Sequence, residues 1–241
     1  MPLMVFFGCM FVAFGPSLAL FVFTVMKFPL RIILLVVGAF FWLLSLLFSA
    51  LLWLAVVPLR EELAFSLVFS VIFQELMRFA LFKLMNKAET GLEDALSEEE
   101  RRSIASHKLS YVSGFGFGLM SGLFSVINVL SNSIGPGNVG ITGASPNFFL
   151  VSSFLASSFI LLNTFWNVII FNAYKKRKLA PIAIVILMHM LVSCLTLLNT
   201  LPHSIYVSLI VSYVSLIVVM GWAFKIAGGS LGNLKASFVC K

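Results

Sequence analysis

Long apolar stretches dominate the chain and alternate with short polar segments. A helix needs about 20 apolar residues to cross the hydrocarbon core of a bilayer. Seven stretches reach that length, at approximately 3–26, 32–57, 63–82, 109–130, 148–171, 179–200 and 204–226. None of them resembles the strands of a membrane barrel, in which apolar and polar residues alternate over segments of about ten. The pattern therefore predicts seven transmembrane helices.

The composition points to lipid as the solvent of this chain. Of its 241 residues, 61% are hydrophobic and only 10% are charged, whereas a soluble domain is about half apolar and about a quarter charged. So few charges cannot cover the surface of a water-soluble fold. We therefore predict an all-α membrane protein in which residues 1–241 form a single seven-helix bundle. The three cysteines form no CxxC pair and predict neither a disulfide framework nor a zinc site.

The basic residues predict how the bundle is oriented, because Lys and Arg accumulate in cytosolic segments. If the N-terminus is extracellular or lumenal, 14 of the 16 basic residues face the cytosol, and only Arg60 falls in an outer segment. Arg78 lies within the third span. The C-terminus is then cytosolic, and the net charge of +7 reflects membrane orientation rather than a nucleic-acid partner. The cytosolic set comprises Lys27, Arg31, Lys83, Lys87, Arg101, Arg102, Lys108, Lys175, Lys176, Arg177, Lys178, Lys225, Lys235 and Lys241.

Two longer polar segments join the spans. Residues 86–108 mix acidic and basic side chains and predict a solvated cytosolic loop. Residues 131–146 carry no charge and are rich in Gly, Asn, Ser and Pro, which favour turns. We expect the second segment to form a compact loop on the outer side.

Polar side chains inside the spans require an explanation. Glu75 and Arg78 lie three residues apart in FQELMRFA and therefore share a helix face, although each charge costs about 2.5–3.5 kcal/mol on insertion. They form either a polar site facing the bundle interior or a structural ion pair that ties the third span to a neighbour. His189 lies in the middle of the sixth span, and Asn163 and Asn167 lie in the fifth. A histidine at that depth is a candidate functional residue, or it is hydrogen-bonded to a neighbouring helix.

Three glycines in the fourth span predict a close helix contact. Gly114, Gly118 and Gly122 repeat every four residues, so they lie on nearly one face of the helix. Without side chains there, another helix can approach closely, as in GxxxG pairs. The spacing does not distinguish a partner within the chain from a partner in another subunit.

The residue inventory excludes two classes of intramembrane protease. An aspartyl protease needs two aspartates, but the only one is Asp94, in a cytosolic segment. The HExxH motif of zinc proteases is absent. A serine–histidine intramembrane protease would need a serine nucleophile that faces the histidine. Ser145 is followed by Pro146, and nothing in the sequence pairs it with His189. We therefore predict no catalytic residue, metal ligand or cofactor site.

Seven segments distributed along the chain together resemble one known family. They are VFFGCMFVAFGPSLALF, GAFFWLLSLL, QELMRFALFKLMNKAE, YVSGFGFGLMSGLFSVINVL, GPGNVGITGASPNFFL, NTFW and AGGSL. On these segments, essentially the whole chain resembles the anterior-pharynx-defective family, which supplies the multi-spanning scaffold subunit of γ-secretase. The family has seven spans and an outer N-terminus, in agreement with the orientation predicted from charge.

The resemblance implies a non-catalytic scaffold that stabilises nicastrin and presenilin and is joined by the presenilin enhancer. Presenilin's C-terminal end would pack into the bundle. The complex would cleave type I membrane proteins such as Notch receptors and amyloid precursor protein. The expected locations are the endoplasmic reticulum, Golgi, endosomal and plasma membranes, where the other contact is membrane lipid. No cofactor is implied.

The resemblance also assigns roles to individual residues. The family's glycine motif, which is tied to assembly, falls on Gly114, Gly118 and Gly122. Its two intramembrane histidines fall on Asn163 and His189, so the first is replaced here. That departure weakens a metal or acid–base interpretation, although asparagine can still donate and accept hydrogen bonds. The departure is therefore compatible with a structural role for the two positions.

Two other functions remain as alternatives. The family distantly resembles glutamate-type intramembrane proteases that process prenylated proteins through a Glu-Glu-x-x-x-Arg motif. The nearest segment here contains Gln74, Glu75 and Arg78, and one of the histidines is missing. A seven-span receptor is disfavoured by short outer loops and by the absence of Asp-Arg-Tyr and Asn-Pro-x-x-Tyr segments.

Overall fold

The computed structural model describes residues 2–59, 62–92, 106–134, 147–200 and 204–229. Within these ranges the chain forms helices and no strand, and seven of the helices are long and apolar enough to cross a membrane. The prediction of an all-α bundle with seven spans is confirmed. The helices are α1 (Pro2–Leu20, extended by a π-helical turn at Phe21–Val25), α2 (Pro29–Ala55), α3 (Leu63–Leu92), α4 (Ser106–Ile134), α5 (Phe148–Lys175), α6 (Leu179–Leu195, extended by a 3-10 turn at Thr196–Thr200) and α7 (Ser204–Ile226).

Several helices extend beyond the apolar stretches that predicted them. The predicted third span, 63–82, covers only part of α3, which continues to Leu92. Likewise, α4 includes residues 106–108 and 131–134, which had been assigned to loops. Hydropathy detects the apolar part of a helix, whereas helical hydrogen bonding continues among the polar residues beyond it. The remaining parts of the two predicted loops, 93–105 and 135–146, lie outside the described residues, as do Arg60, Asp94 and Ser145.

The centre of the bundle is formed by α4 and α5. Half or more of the most apolar part of each is buried, at 50% and 56%, whereas the other spans reach only 17–33%. These two helices carry many Gly, Ser, Ala and Asn residues. Small residues favour close packing in a membrane, because lipid provides little hydrophobic drive for helices to associate. The remaining helices surround this pair, with α2 against α4 and α7 against α5.

Buried apolar side chains form two large clusters on either side of α5. The first joins α2, α3 and α4 around Trp42, Leu81 and Phe117. The second joins α5, α6 and α7 around Trp166, with Val185 and Val219. Since α5 contributes side chains to both clusters, polar residues on α5 can connect the two sides of the bundle.

Candidate functional site

The third helix places an acidic and a basic side chain inside the bundle. Glu75 and Arg78 are one turn apart on α3, and both are buried, with Arg78 at 0% exposure. Arg78 Nε lies 3.3 Å from Glu75 Oε2, which is within ion-pair distance. Burial of a charge is tolerated only when the charge is paired and hydrogen-bonded, so the further partners of this pair decide what it can do.

His189 of α6 supplies the second partner of Glu75. His189 Nδ1 lies 2.6 Å from Glu75 Oε1. An ionised carboxylate can only accept hydrogen bonds, so beside the Arg78 cation Nδ1 is the donor. The imidazole also packs on Trp166, with ring centroids 4.7 Å apart. Both carboxylate oxygens of Glu75 are therefore engaged.

Asn163 of α5 completes the arrangement. Arg78 donates from Nη2 to the side-chain oxygen of Asn163 at 2.7 Å and from Nη1 to its main-chain oxygen at 3.2 Å. The Asn163 amide nitrogen in turn donates to the Phe159 carbonyl at 3.0 Å. The guanidinium also lies 4.9 Å from the Phe117 ring centroid, which is within cation–π range. Glu75, Arg78, Asn163 and His189 thus form one polar centre that links α3, α5 and α6.

The geometry of the polar centre favours a structural interpretation. A general base must face the proton that it removes, but each Glu75 oxygen already has a protein partner. Among the described residues, no group of three or more His, Cys, Asp and Glu side chains could hold a metal ion. What the centre can do is fix the relative positions of three helices, because buried groups lose their partners if the helices separate.

The three sequence-predicted glycines lie against α5 of the same chain. A Cβ atom at Gly118 would overlap the Ile160 carbonyl oxygen and lie 3.1 Å from Asn163 Cβ. One at Gly114 would overlap the Asn167 side chain, and one at Gly122 would overlap the Ile160 side chain. We call Gly114, Gly118 and Gly122 the glycine seam. Their spacing did not distinguish a partner helix within the chain from one in another subunit, and in this structure the partner is α5 of the same chain.

The glycine seam brings polar groups of α5 within reach of their partners. Asn167 donates to the Ser110 carbonyl of α4 at 2.7 Å, and its amide nitrogen lies 3.2 Å from Ser113 Oγ. Asn163, which contacts the seam at Gly118, is the residue that holds Arg78. The seam and the polar centre are therefore one connected arrangement.

A second close contact was not predicted from the sequence. A Cβ at Gly116 would overlap the Leu35 carbonyl oxygen of α2, and one at Gly38 would overlap the Ser113 carbonyl oxygen of α4. Gly116 lies two residues from Gly114 and so faces roughly the opposite side of the helix. The alternation GFGFG in α4 was the available signal for two glycine faces.

A cavity of about 680 Å³ lies beside the polar centre. It occupies the half of the bundle that contains the start of α5 and the end of α6, between α2, α3, α4, α5 and α6. His189 and Gln74 form its deep end, and Trp42 Nε1 donates to Gln74 at 3.3 Å. We call it the serine cavity because hydroxyl and amide groups line it together with apolar side chains. Those polar residues are Ser49, Ser66, Ser70, Gln74, Ser121, Ser125, Ser152, Ser193, Thr196 and Asn199.

Comparison with known proteins gives a consistent family assignment. Residues 4–230 match the family model described as Aph-1 protein. The γ-secretase subunit Aph-1b of Danio rerio is 47% identical, over 100% of this chain and 95% of that protein. The γ-secretase subunit Aph-1 of Drosophila melanogaster is 46% identical, over 98% of both chains. The γ-secretase subunit APH-1B of Homo sapiens is 45% identical, over 98% of this chain and 94% of that protein. With a family model and relatives that match nearly its whole length, this chain belongs to the Aph-1 family.

Proposed function

We propose that this chain is a non-catalytic scaffold subunit of a γ-secretase complex. It holds nicastrin and presenilin homologues together with the presenilin enhancer, and so supports cleavage of type I membrane proteins such as Notch receptors and amyloid precursor protein. The observation that carries the proposal is the near-complete match to relatives that are named γ-secretase subunits. The family motif residues of α4 also lie at the centre of the bundle, where they organise its packing.

The non-catalytic part of the proposal is supported by the polar centre. Glu75 is the side chain that a glutamate-type protease would use, and both of its oxygens are engaged by Arg78 and His189. The segment also departs from the Glu-Glu-x-x-x-Arg motif, because Gln74 precedes Glu75 and Arg78 follows it by three residues rather than four. By the family resemblance, Asn163 stands in place of a histidine. These residues do not support the protease alternative.

The serine cavity suggests how presenilin is held. A chain end that enters a membrane bundle brings main-chain N–H and C=O groups and a carboxylate, all of which need hydrogen-bond partners. The hydroxyl and amide groups of the serine cavity supply such partners, and its apolar lining accommodates the accompanying side chains. We therefore propose that presenilin's C-terminal end binds in this cavity.

Purification of the tagged chain in mild detergent tests the proposed function. We expect nicastrin, presenilin and the presenilin enhancer to co-purify, because these subunits share one assembly. The chain freed of its partners should cleave no peptide bond. Cleavage by the isolated chain that is removed by Glu75→Ala would instead support the protease alternative.

A cavity-filling variant tests the placement of presenilin. Ser121→Phe puts a ring into the serine cavity, and we expect several-fold less presenilin to co-purify. Ser131→Phe is the matched control, because Ser131 is exposed near the end of α4 and does not line the cavity. Equal recovery of presenilin with both variants would refute the placement.

The proposed locations of the chain are the endoplasmic reticulum, Golgi, endosomal and plasma membranes. The proposed orientation places the N-terminus outside and the C-terminus in the cytosol. It rests on the unequal distribution of Lys and Arg between the two sides. An N-terminal tag on surface-expressed protein should be labelled by antibody on intact cells, and a C-terminal tag only after permeabilisation. Labelling of both tags on intact cells, or of neither, would contradict an odd number of spans.

A further inference from the structure

A groove between α3 and α6 opens on the lipid-facing side of the bundle. Its volume is about 730 Å³, within the range of small-molecule sites. Leu76 on one wall is 51% exposed, and Leu179 near the mouth is 80% exposed, so the groove reaches the protein surface. We call it the lateral groove. Its apolar walls are formed by Ile72, Leu76 and Phe79 of α3 and by Ile182 and Ile186 of α6.

The mouth of the lateral groove carries Arg177 and Tyr174 at the end of α5. Glu75 lies at its deep end, where its carboxylate forms an ion pair with Arg78 and a hydrogen bond with His189. The groove is therefore apolar along its length and basic only at one end, which is the arrangement that a phospholipid requires.

Arg177 has an unusual backbone conformation. Its φ is 52°, in the left-handed region, and it is the only described residue other than glycine with a positive φ. Two hydrogen bonds form a Schellman cap around it, from Arg177 N to Tyr174 O at 3.1 Å and from Lys178 N to Ala173 O at 2.9 Å. Glycine is the usual residue at this position, because a Cβ is disfavoured there.

The end of α7 shows the same cap with the usual residue. Gly228 N bonds to Lys225 O at 3.2 Å, Gly229 N bonds to Phe224 O at 2.9 Å, and Gly228 has a φ of 85°. The chain therefore uses glycine in one cap and arginine in an equivalent one. An outlier that is unfavourable for the backbone is a reason to look for function in the side chain, and this side chain lines the groove.

The surrounding charges complement an anion. Arg177 belongs to the basic run 175–178, in which Lys175 pairs with Glu89 and thereby joins α5 to α3 beside the groove. Lys176 and Lys178 are exposed. Basic pockets between helices on the cytosolic side of a membrane bind anionic head groups, because anionic lipids are enriched in that leaflet.

We propose that the lateral groove binds one anionic phospholipid of the cytosolic leaflet. One acyl chain lies between α3 and α6, and the Arg177 guanidinium binds the phosphate, for which its planar fork of donors is suited. From Leu179 to Ile186 the α6 wall spans about 10 Å along the helix, so the chain enters at head-group level and runs toward the hydrocarbon core. The proposal rests on the proposed orientation but not on membership of a complex.

Lipid retention by the purified full-length chain tests this proposal. The chain is reconstituted in phosphatidylcholine nanodiscs that contain a minority of phosphatidylserine with the same acyl chains, and the retained lipids are counted by native mass spectrometry. We expect phosphatidylserine to be retained in excess of its share of the membrane. Arg177→Gly should lower that retention about fivefold, the effect of losing one charge near the surface. Its unfolding temperature in detergent should not fall, because glycine suits the left-handed cap.

Two further variants distinguish lipid binding in the groove from general electrostatic attraction of anionic lipid to the protein surface. Adding Gly228→Arg to Arg177→Gly restores the net charge in the equivalent cap of α7, away from the groove, and should not restore phosphatidylserine retention. Leu76→Trp fills the groove and should remove retention of either lipid. Retention of both lipids in proportion to their abundance, or undiminished phosphatidylserine on Arg177→Gly, would overturn the proposal.

A partner helix is the alternative occupant of the groove, and the same measurement on the assembled complex tests for it. If the isolated chain retains phosphatidylserine but the complex does not, a partner helix fills the groove and the lipid proposal is wrong for the working protein. Because the first measurement needs no partner, failure to bind lipid is distinct from failure to assemble. The tag experiment independently reports whether the mouth of the groove faces the cytosol.

Discussion

Gly118→Leu is expected to destabilise the bundle by about 3 kcal/mol or more, since overpacking of a close contact costs about 1–3 kcal/mol before any hydrogen bonds are lost. Even a Cβ at Gly118 would overlap the Ile160 carbonyl oxygen and press on Asn163. A displaced Asn163 would in turn loosen its bonds to Arg78. Insertion should be unaffected because leucine is favourable in a span. The measurement is thermal unfolding of the purified chain in detergent.

Gly221→Leu is the matched control for this substitution. It makes the same chemical change in α7, where a Cβ at Gly221 would meet nothing within 4 Å, so its unfolding temperature should match that of the unmodified chain. If Gly118→Leu keeps its unfolding temperature but fails to recover nicastrin and presenilin, the glycine seam is a surface between subunits rather than an internal contact. Normal stability together with normal recovery of partners would show that the seam tolerates a side chain.

Arg78→Met should be the most damaging single change in the polar centre. Removing one partner of a buried ion pair typically costs about 3–5 kcal/mol, because the other charge remains buried without compensation. Arg78 is fully buried, and its loss leaves Glu75 with His189 alone and deprives Asn163 of a donor. The expected outcome is a large fall in the unfolding temperature of the purified chain. The amount of mature presenilin in cells should then fall.

Two comparisons make this result interpretable. Lys87→Met makes a similar change on the same helix at an exposed site, and surface substitutions of this kind usually stay within about 0.5 kcal/mol. The double variant Glu75→Gln, Arg78→Met should recover part of the loss, since it removes the uncompensated charge. If the double variant is no more stable than Arg78→Met, or if Lys87→Met is equally damaging, the ion pair is not what stabilises the centre.

The bundle illustrates which features can be predicted from a membrane sequence. The seven spans were predictable because the transfer of each apolar segment into lipid depends mainly on its own residues. The boundaries were less accurate, as in α3, where helical hydrogen bonding continues to Leu92 beyond the apolar part. The buried pair of Glu75 and Arg78 was also visible locally, because a spacing of three places both on one helix face.

The partners of these local features were decided by the tertiary structure. Periodicity indicates which face of a helix carries small or polar side chains, but it does not indicate which helix will pack against that face. The glycine seam could have served another subunit, and only the packing of α4 on α5 brings Asn163 to Arg78 and makes the contact intramolecular. The link from Glu75 to His189 likewise joins residues 114 positions apart. The sequence by itself therefore determined the spans and the polar faces, because each depends on local transfer and helix geometry. The tertiary structure determined their pairing, because close packing and hydrogen bonds depend on which surfaces fit together in three dimensions.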